Sequence, residues 1–231
     1  MKLLTSKQSW GRSTLLNSVV DNDIVEKFCR WNSSGAIADC LRIRMSRIGY
    51  LGSLRFVIGK RLAESGNAEA LDDIEVFLHA ASELVPSEAE LALAATFQEI
   101  PLPKGLTLDE GESILFSAAV LRALNSVLTG DKRAICCCAE MTTSVDEVGV
   151  LKGRLISLEQ LLGTLIQILG QDEVRKRVCS DKTADKTAAI CFSCGAESLV
   201  EGSAMQALKS YQSDLTSKSE GFSSKTLSCC S

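Results

Sequence analysis

The chain has 231 residues, of which 45% are hydrophobic and 23% charged, and its formal net charge is -4. This length can bury a core in one domain of ordinary size, and the composition excludes long disordered regions away from the ends. No run of about 18 apolar residues indicates a membrane-spanning helix, and residues 5–13 are too polar for the core of a signal peptide. We therefore expect a cytoplasmic protein that does not enter a membrane.

Three short apolar runs predict buried strands, over residues 15–20, 126–129 and 154–157. Helical periodicity predicts helices from Ile24, over residues 68–84 and 87–98, from Asp109 to Leu124, from Lys132 to about Met141, and from Ser157 to Gly170. This order predicts an α/β fold with a central parallel sheet flanked by helices. We expect a polar arm over residues 1–12, the main domain over 13–170, an α-helical extension over 171–216 and a mobile Ser-rich tail over 217–231.

The ten cysteines are expected to be reduced, because those at positions 136–138 and 229–230 are adjacent in sequence. Cys191 and Cys194 have the gap of a zinc knuckle, with Cys179 nearby. A structural zinc site needs four ligands, however, and no second such pair exists. Buried free cysteines are therefore the favoured interpretation of these three residues.

Acidic residues stand where two of the predicted strands end. Asp21 follows the first strand, Asp131 follows the second, and Glu112 lies in the first turn of the intervening helix. Open α/β sheets place their ligands at this edge, and a divalent cation with oxygen ligands relieves the repulsion between converging carboxylates. Such a cation activates water without a histidine, which suits a chain whose only histidine is His79. We call Asp21, Glu112 and Asp131 the acidic site.

The competing interpretation is structural. Asp21, Asp109 and Asp131 would each be a helix N-cap, with Glu112 the reciprocal partner of Asp109 in a capping box. Each cap would stabilise the fold by about 1 kcal/mol.

The segments LNSVVDNDIVEK (16–27), DEGES (109–113) and LTGDKRA (128–134) resemble the three acidic stations of PIN-like nuclease domains, over about residues 13–170. The resemblance implies that Asp21, Glu112 and Asp131 hold Mg²⁺ or Mn²⁺ and hydrolyse RNA phosphodiester bonds. It also implies RNA, or single-stranded DNA, as the substrate. An inhibitory antitoxin-like protein would be expected as a partner, and a homodimer is a further partner to consider.

The chain departs from this family pattern after the third acid, where Lys132 and Arg133 replace the fourth. The alternative is therefore a degraded relative that binds nucleic acid or protein without cutting. Candidates for a supporting role are Asp23, Asp109, Thr129, Lys132, Glu159 and Asp185.

The segment from residue 40 to residue 61 contains six lysines and arginines and no acid. Phosphate backbones are held largely by such cations, even in a protein of negative net charge. We expect Arg42, Arg44 and Arg47 to lie beside the acidic site and, with Arg133, to contact the nucleic-acid backbone. The alternative is that these arginines pair with the acidic region of residues 62–114.

Overall fold

The computed structural model describes residues 15–100, 102–103 and 106–224. It contains five strands, β1 (Ser18–Val20), β2 (Ile48–Leu51), β3 (Ser82–Leu84), β4 (Ser126–Thr129) and β5 (Leu155–Ser157). All pair in parallel, in the order β3-β2-β1-β4-β5. The expected parallel α/β sheet is therefore confirmed. The expected arm over 1–12 and the last part of the tail, 225–231, lie outside the described residues.

Helices connect the strands and continue after the last one. They are α1 (Asn22–Arg30), α2 (Ala36–Leu41), α3 (Leu54–Ser65), α4 (Ala68–Ala80), α5 (Glu88–Glu99), α6 (Glu110–Leu121), α7 (Lys132–Met141), α8 (Leu158–Leu169), α9 (Gln171–Ser180), α10 (Lys186–Cys191) and α11 (Ser203–Lys218). Two 3₁₀ helices cover Met45–Arg47 and Asp146–Leu151. Within the described ranges, no helix has the length and apolarity needed to cross a membrane.

Local capping signals explain where several helices begin. Ser87 and Glu90 form a capping box at α5, as Asp109 and Glu112 do at α6. At α8 the Ser157 amide donates to the side chain of Gln160 at 2.8 Å, which is the reciprocal bond of such a box.

The core consists of two apolar layers, one on each face of the sheet. Phe28 and Phe77 are fully buried in the layer beneath α1, α3, α4 and α8. Phe97 and Phe116 are fully buried in the layer beneath α5, α6 and α7. The helices after residue 170 pack mainly on the first layer, whereas Leu215 near the end of α11 and Phe222 belong to the second. The chain then forms an isolated parallel bridge from Ser223 to Leu155 of β5.

Two of the five strands were not predicted. Residues 68–84 are helix α4 followed by β3, not one helix, because Ala81 adopts extended backbone after the last turn. β2 lies inside the arginine-rich segment, where it escapes notice because it is only four residues long and contains a glycine. Both strands are held by pairing with neighbours that are distant in sequence, which a local pattern does not report.

The expectation of free cysteines is wrong for Cys179 and Cys194, which form a disulfide with Cα atoms 5.1 Å apart. Arg175 of α9 brings the two segments together, because its guanidinium donates to backbone carbonyls of the loop that carries Cys194. The third residue of the set, Cys191, is buried and free as predicted.

Candidate functional site

The acidic site lies at the edge of the sheet formed by the C-terminal ends of the strands, which we call the carboxyl edge. The chain leaves β1 on one side to build β2 and β3, and then returns to place β4 on the other side. Asp21 and Asp131 follow these two central strands, and the Asp21 amide donates to the carbonyl of Leu128 at 2.9 Å. This reversal of strand order is where open α/β sheets bind ligands.

Glu112 is buried and Asp21 is partly buried. Burial raises the pKa of Glu112 to about 8, and the charges of Asp109, Asp131 and Asp21 raise it further. The hydrogen bond from the Asp109 amide acts in the opposite direction and lowers this pKa. Burial also raises the pKa of Asp21 to about 7, with further contributions from Asp23 and Asp109. Because the charges of Asp131 and Asp21 both contribute to the pKa of Glu112, Glu112 lies within electrostatic range of the other two members of the acidic site.

The cap interpretation is confirmed for three of the four acids. An Asp109 oxygen accepts from the Glu112 amide at 2.7 Å, and a Glu112 oxygen accepts from the Asp109 amide at 3.1 Å. Asp131 likewise accepts from the Arg133 amide at 2.7 Å. Asp21 stands at the N-cap position of α1 without a capping hydrogen bond of good geometry. Burial raises its pKa, but the backbone amides of Asn22 and Asp23 lie close enough to its carboxylate to oppose that shift.

Asp131 differs from Asp21 and Glu112 because it has a cationic partner. The Arg133 guanidinium donates to both Asp131 oxygens, at 2.8 and 3.2 Å. Burial acts to raise the pKa of Asp131, but the hydrogen bonds and charge of Arg133 outweigh it and hold that pKa below its usual value. The hydroxyl oxygen of Thr129 accepts from the Asp131 amide at 3.1 Å, so its observed contact is to the turn that carries the acid.

Lys27, which was not singled out from the sequence, neutralises two of the supporting candidates. Its Nζ lies 2.7 Å from an Asp23 oxygen and 2.9 Å from an Asp185 oxygen. Gly130 makes this arrangement possible, because a Cβ atom there would lie 1.9 Å from the Asp23 carboxylate. The spacing of four residues between Asp23 and Lys27 on one helix was the available signal.

Lys132 neutralises a third candidate. Its Nζ lies 2.5 Å from an oxygen of the buried Glu159 and 4.8 Å from the centre of the Tyr211 ring. The lysine that replaces the expected fourth acid therefore pairs with Glu159 in the first turn of α8, and its positive charge neutralises that carboxylate.

The acidic site has the ligand type that a hard cation needs, but its side chains are not arranged around a common point. The acidic site offers carboxylate oxygens, the ligands that Mg²⁺ and Mn²⁺ prefer. In the part of the chain that the structure describes, however, no three acidic, cysteine or histidine side chains are grouped so that they could hold a metal ion. A bound cation would require these side chains to move toward each other.

Nucleophilic catalysis by a thiol is not favoured here. Cys137 lies close to the acids, where burial raises its pKa to about 11, and Glu112 and Asp131 add to the shift. A thiol with this pKa stays protonated near neutral pH and is a poor nucleophile.

The expectation that Arg42, Arg44 and Arg47 lie beside the acidic site is wrong. They precede β2, which starts at Ile48, so they lie at the opposite edge of the parallel sheet from the acids. Among the described residues these three arginines form no ion pair with residues 62–114 either. Arg133 does lie at the carboxyl edge, and Arg55, in the first turn of α3, follows β2 at the same edge.

Comparison with known proteins finds no matching family model, no matching curated protein and no matching solved structure.

Proposed function

We propose that this chain is a metal-dependent endoribonuclease of the PIN-like kind, acting in the cytoplasm. The observation that carries the proposal is the pair formed by the partly buried Asp21 and the buried Glu112, at the point where the strand order reverses. Among the described residues, neither carboxylate forms an ion pair, and burial raises the pKa of both. Keeping such carboxylates destabilises a fold, because burial disfavours the charged form. A ligand that needs their negative charge explains why they are there.

Asp21, Glu112 and Asp131 would hold Mg²⁺ or Mn²⁺ in this proposal. Such a cation lowers the pKa of a bound water and stabilises the charge that develops on a phosphate. Arg133 would hold a phosphate oxygen of the substrate, since its side chain is 65% exposed beside Asp131 and guanidinium groups bind phosphate well. An antitoxin-like protein that covers the acidic site would inhibit the enzyme.

A second candidate function is a catalytically inactive module that binds RNA or a protein. The pairing of Lys132 with Glu159 and of Lys27 with Asp185 favours it, because both acids would otherwise be open to a cation. The two lysines neutralise these carboxylates, which are then no longer available as metal ligands.

Cleavage of a single-stranded RNA in Mg²⁺ or Mn²⁺ separates the two functions. Asp131→Asn and Asp21→Asn should abolish cleavage by the nuclease, while Asp72→Asn on the exposed face of α4 is the matched control and should not. Asparagine caps a helix about as well as aspartate, so Asp131→Asn keeps the α7 cap. Full activity in Asp131→Asn would mean that Asp131 is only a cap, and RNA binding without cleavage in either metal would favour the inactive module.

The role of Arg133 has its own control at the opposite edge of the sheet. Arg133→Ala should weaken RNA binding and reduce the salt dependence by about one released counterion, whereas Arg47→Ala should change neither. Equal effects of the two substitutions on the salt slope would contradict an RNA path over the carboxyl edge.

A further inference from the structure

A cleft of about 390 Å³ opens beside the acidic site, at the ends of β2 and β3. Its apolar lining includes Leu51, Leu84 and Ile114, and its acidic lining consists of Glu83 and Glu110. Pockets that take small molecules have volumes of about 300–1,000 Å³ and are mostly apolar with a few polar groups. The cleft therefore has the size and the lining of a small-molecule site.

Two glycines keep the cleft open. A Cβ atom on Gly52 would lie 2.5 Å from a Glu83 carboxylate oxygen, and one on Gly111 would lie 3.6 Å from a methyl group of Leu51. A side chain at Gly52 would displace the Glu83 carboxylate, and a side chain at Gly111 would narrow the cleft from the opposite wall. The present width of the cleft and the position of Glu83 both depend on residues without side chains.

The polar groups of the cleft select for a ligand with adjacent N–H donors. Carboxylates only accept hydrogen bonds, and in the described ranges neither Glu83 nor Glu110 is paired with a lysine or arginine. Guanine presents a ring N–H beside an exocyclic amine on one edge and has flat faces that suit apolar walls. Uracil presents a single N–H between two carbonyls, which a carboxylate repels.

The position of the cleft connects it to the acidic site. Glu110 and Gly111 line the cleft, and Glu112 belongs to the same first turn of α6. A nucleotide whose base lies in the cleft would therefore have its phosphate close to Glu112. Single-stranded RNA suits this arrangement, because its unpaired bases can turn out of the strand and enter a pocket.

We propose that this cleft binds a guanine base of single-stranded RNA next to the phosphodiester bond that the acidic site hydrolyses. The position relative to the cut bond rests on the proposed nuclease function, whereas the binding of the base does not. The cleft would make the enzyme prefer guanine at one side of the cut.

The test is the binding of free nucleosides to the full chain, with a chelator present so that no cation and no cleavage take part. Titrations with guanosine, inosine and uridine would be followed by calorimetry and by the backbone amide resonances of Gly52 and Gly111. Inosine is the matched ligand, because it keeps the ring N–H of guanosine and lacks only the exocyclic amine. Loss of this one charge-assisted hydrogen bond should weaken binding about tenfold, and uridine should bind more weakly still.

The matched variants are Glu83→Gln and Glu110→Gln, which change exposed side chains, with Glu75→Gln on α4 as the control. Each cleft variant should weaken guanosine binding about tenfold, and the control should not change it. Equal binding of the three nucleosides would overturn the proposal, as would unchanged guanosine binding in both cleft variants. A cleft that takes Mg²⁺ alone, with no guanosine binding, would also overturn it.

Comparison with the cleavage assay separates this proposal from the proposed function. Guanosine binding by a chain that cuts no RNA supports the base site and contradicts the nuclease. Metal-dependent cleavage without guanine preference, by a chain that binds no guanosine, supports the nuclease and contradicts the base site.

Discussion

Asp21→Asn should stabilise the folded protein while it abolishes the proposed activity. The pKa of Asp21 is raised from 3.8 to about 7, mainly by burial. The folded state therefore binds more protons than the unfolded state between these values, and stability decreases as the pH rises through this window. At about 1.4 kcal/mol for each pH unit, the carboxylate destabilises the fold by about 4 kcal/mol above pH 7.

The assay is urea unfolding of the wild type, Asp21→Asn and the control Asp72→Asn across this pH range. Asp21→Asn should exceed the wild type by up to about 4 kcal/mol near pH 8, and the difference should shrink toward zero as the pH approaches 3.8. Mg²⁺ or Mn²⁺ should stabilise the wild type near pH 8 and should have little effect on Asp21→Asn, because a ligand raises stability only where it binds the folded state.

A variant that is no more stable than the wild type near pH 8 would refute this reasoning. It would mean that the Asp21 carboxylate has a compensating partner in the folded protein. The same conclusion would follow if the difference between the two proteins did not change with pH.

Three further perturbations test other parts of the structure. Gly130→Ala should destabilise the fold by about 1–3 kcal/mol in thermal unfolding, because the added Cβ displaces the Asp23 carboxylate from Lys27. The control Gly59→Ala, in the open interior of α3, should instead stabilise the fold by about 0.5–1 kcal/mol. Glu90→Gln should cost about 2–3 kcal/mol in urea unfolding, because it leaves the Arg122 guanidinium without its anionic partner. Burial opposes ionisation of Glu90, but Arg122 and the Ser87 cap lower its pKa below 4.5, so this difference should narrow as the pH falls below that value. Cys179→Ser should cost about 3 kcal/mol under oxidising conditions, and a dithiol reductant should bring the wild type to the same melting temperature while leaving the variant unchanged.

The parts of the fold that local signals determine could be predicted from the sequence. Ser87 with Glu90 and Asp109 with Glu112 mark the starts of two helices, and compact apolar runs mark β1, β4 and β5. β3 could not be predicted, because it is three residues long and its only apolar residue is Leu84. Its backbone is held by β2, whose residues lie more than 30 positions earlier in the chain.

The placement of the site followed the same division. Asp21 and Asp131 could be assigned to one edge, because each follows a strand that the sequence showed and parallel strands end at the same edge. Arg47 was assigned to the wrong edge, because its position depends on β2, which the sequence did not show. The pairing of Lys132 with Glu159 depends on how α7 packs beside β5, and spacing along the chain does not report it.

The bridge from Ser223 to Leu155 has a consequence for association between chains. β5 is the last strand of the sheet on its side, and the Ser224 amide donates to the Leu155 carbonyl at 2.8 Å. Unpaired backbone groups on an outer strand are a template for aggregation with another molecule, and a covering segment removes them. Phe222, which is 2% exposed, anchors this segment in the core. A chain shortened before Phe222 would expose β5 and would aggregate through it, even though every residue of the acidic site would still be present.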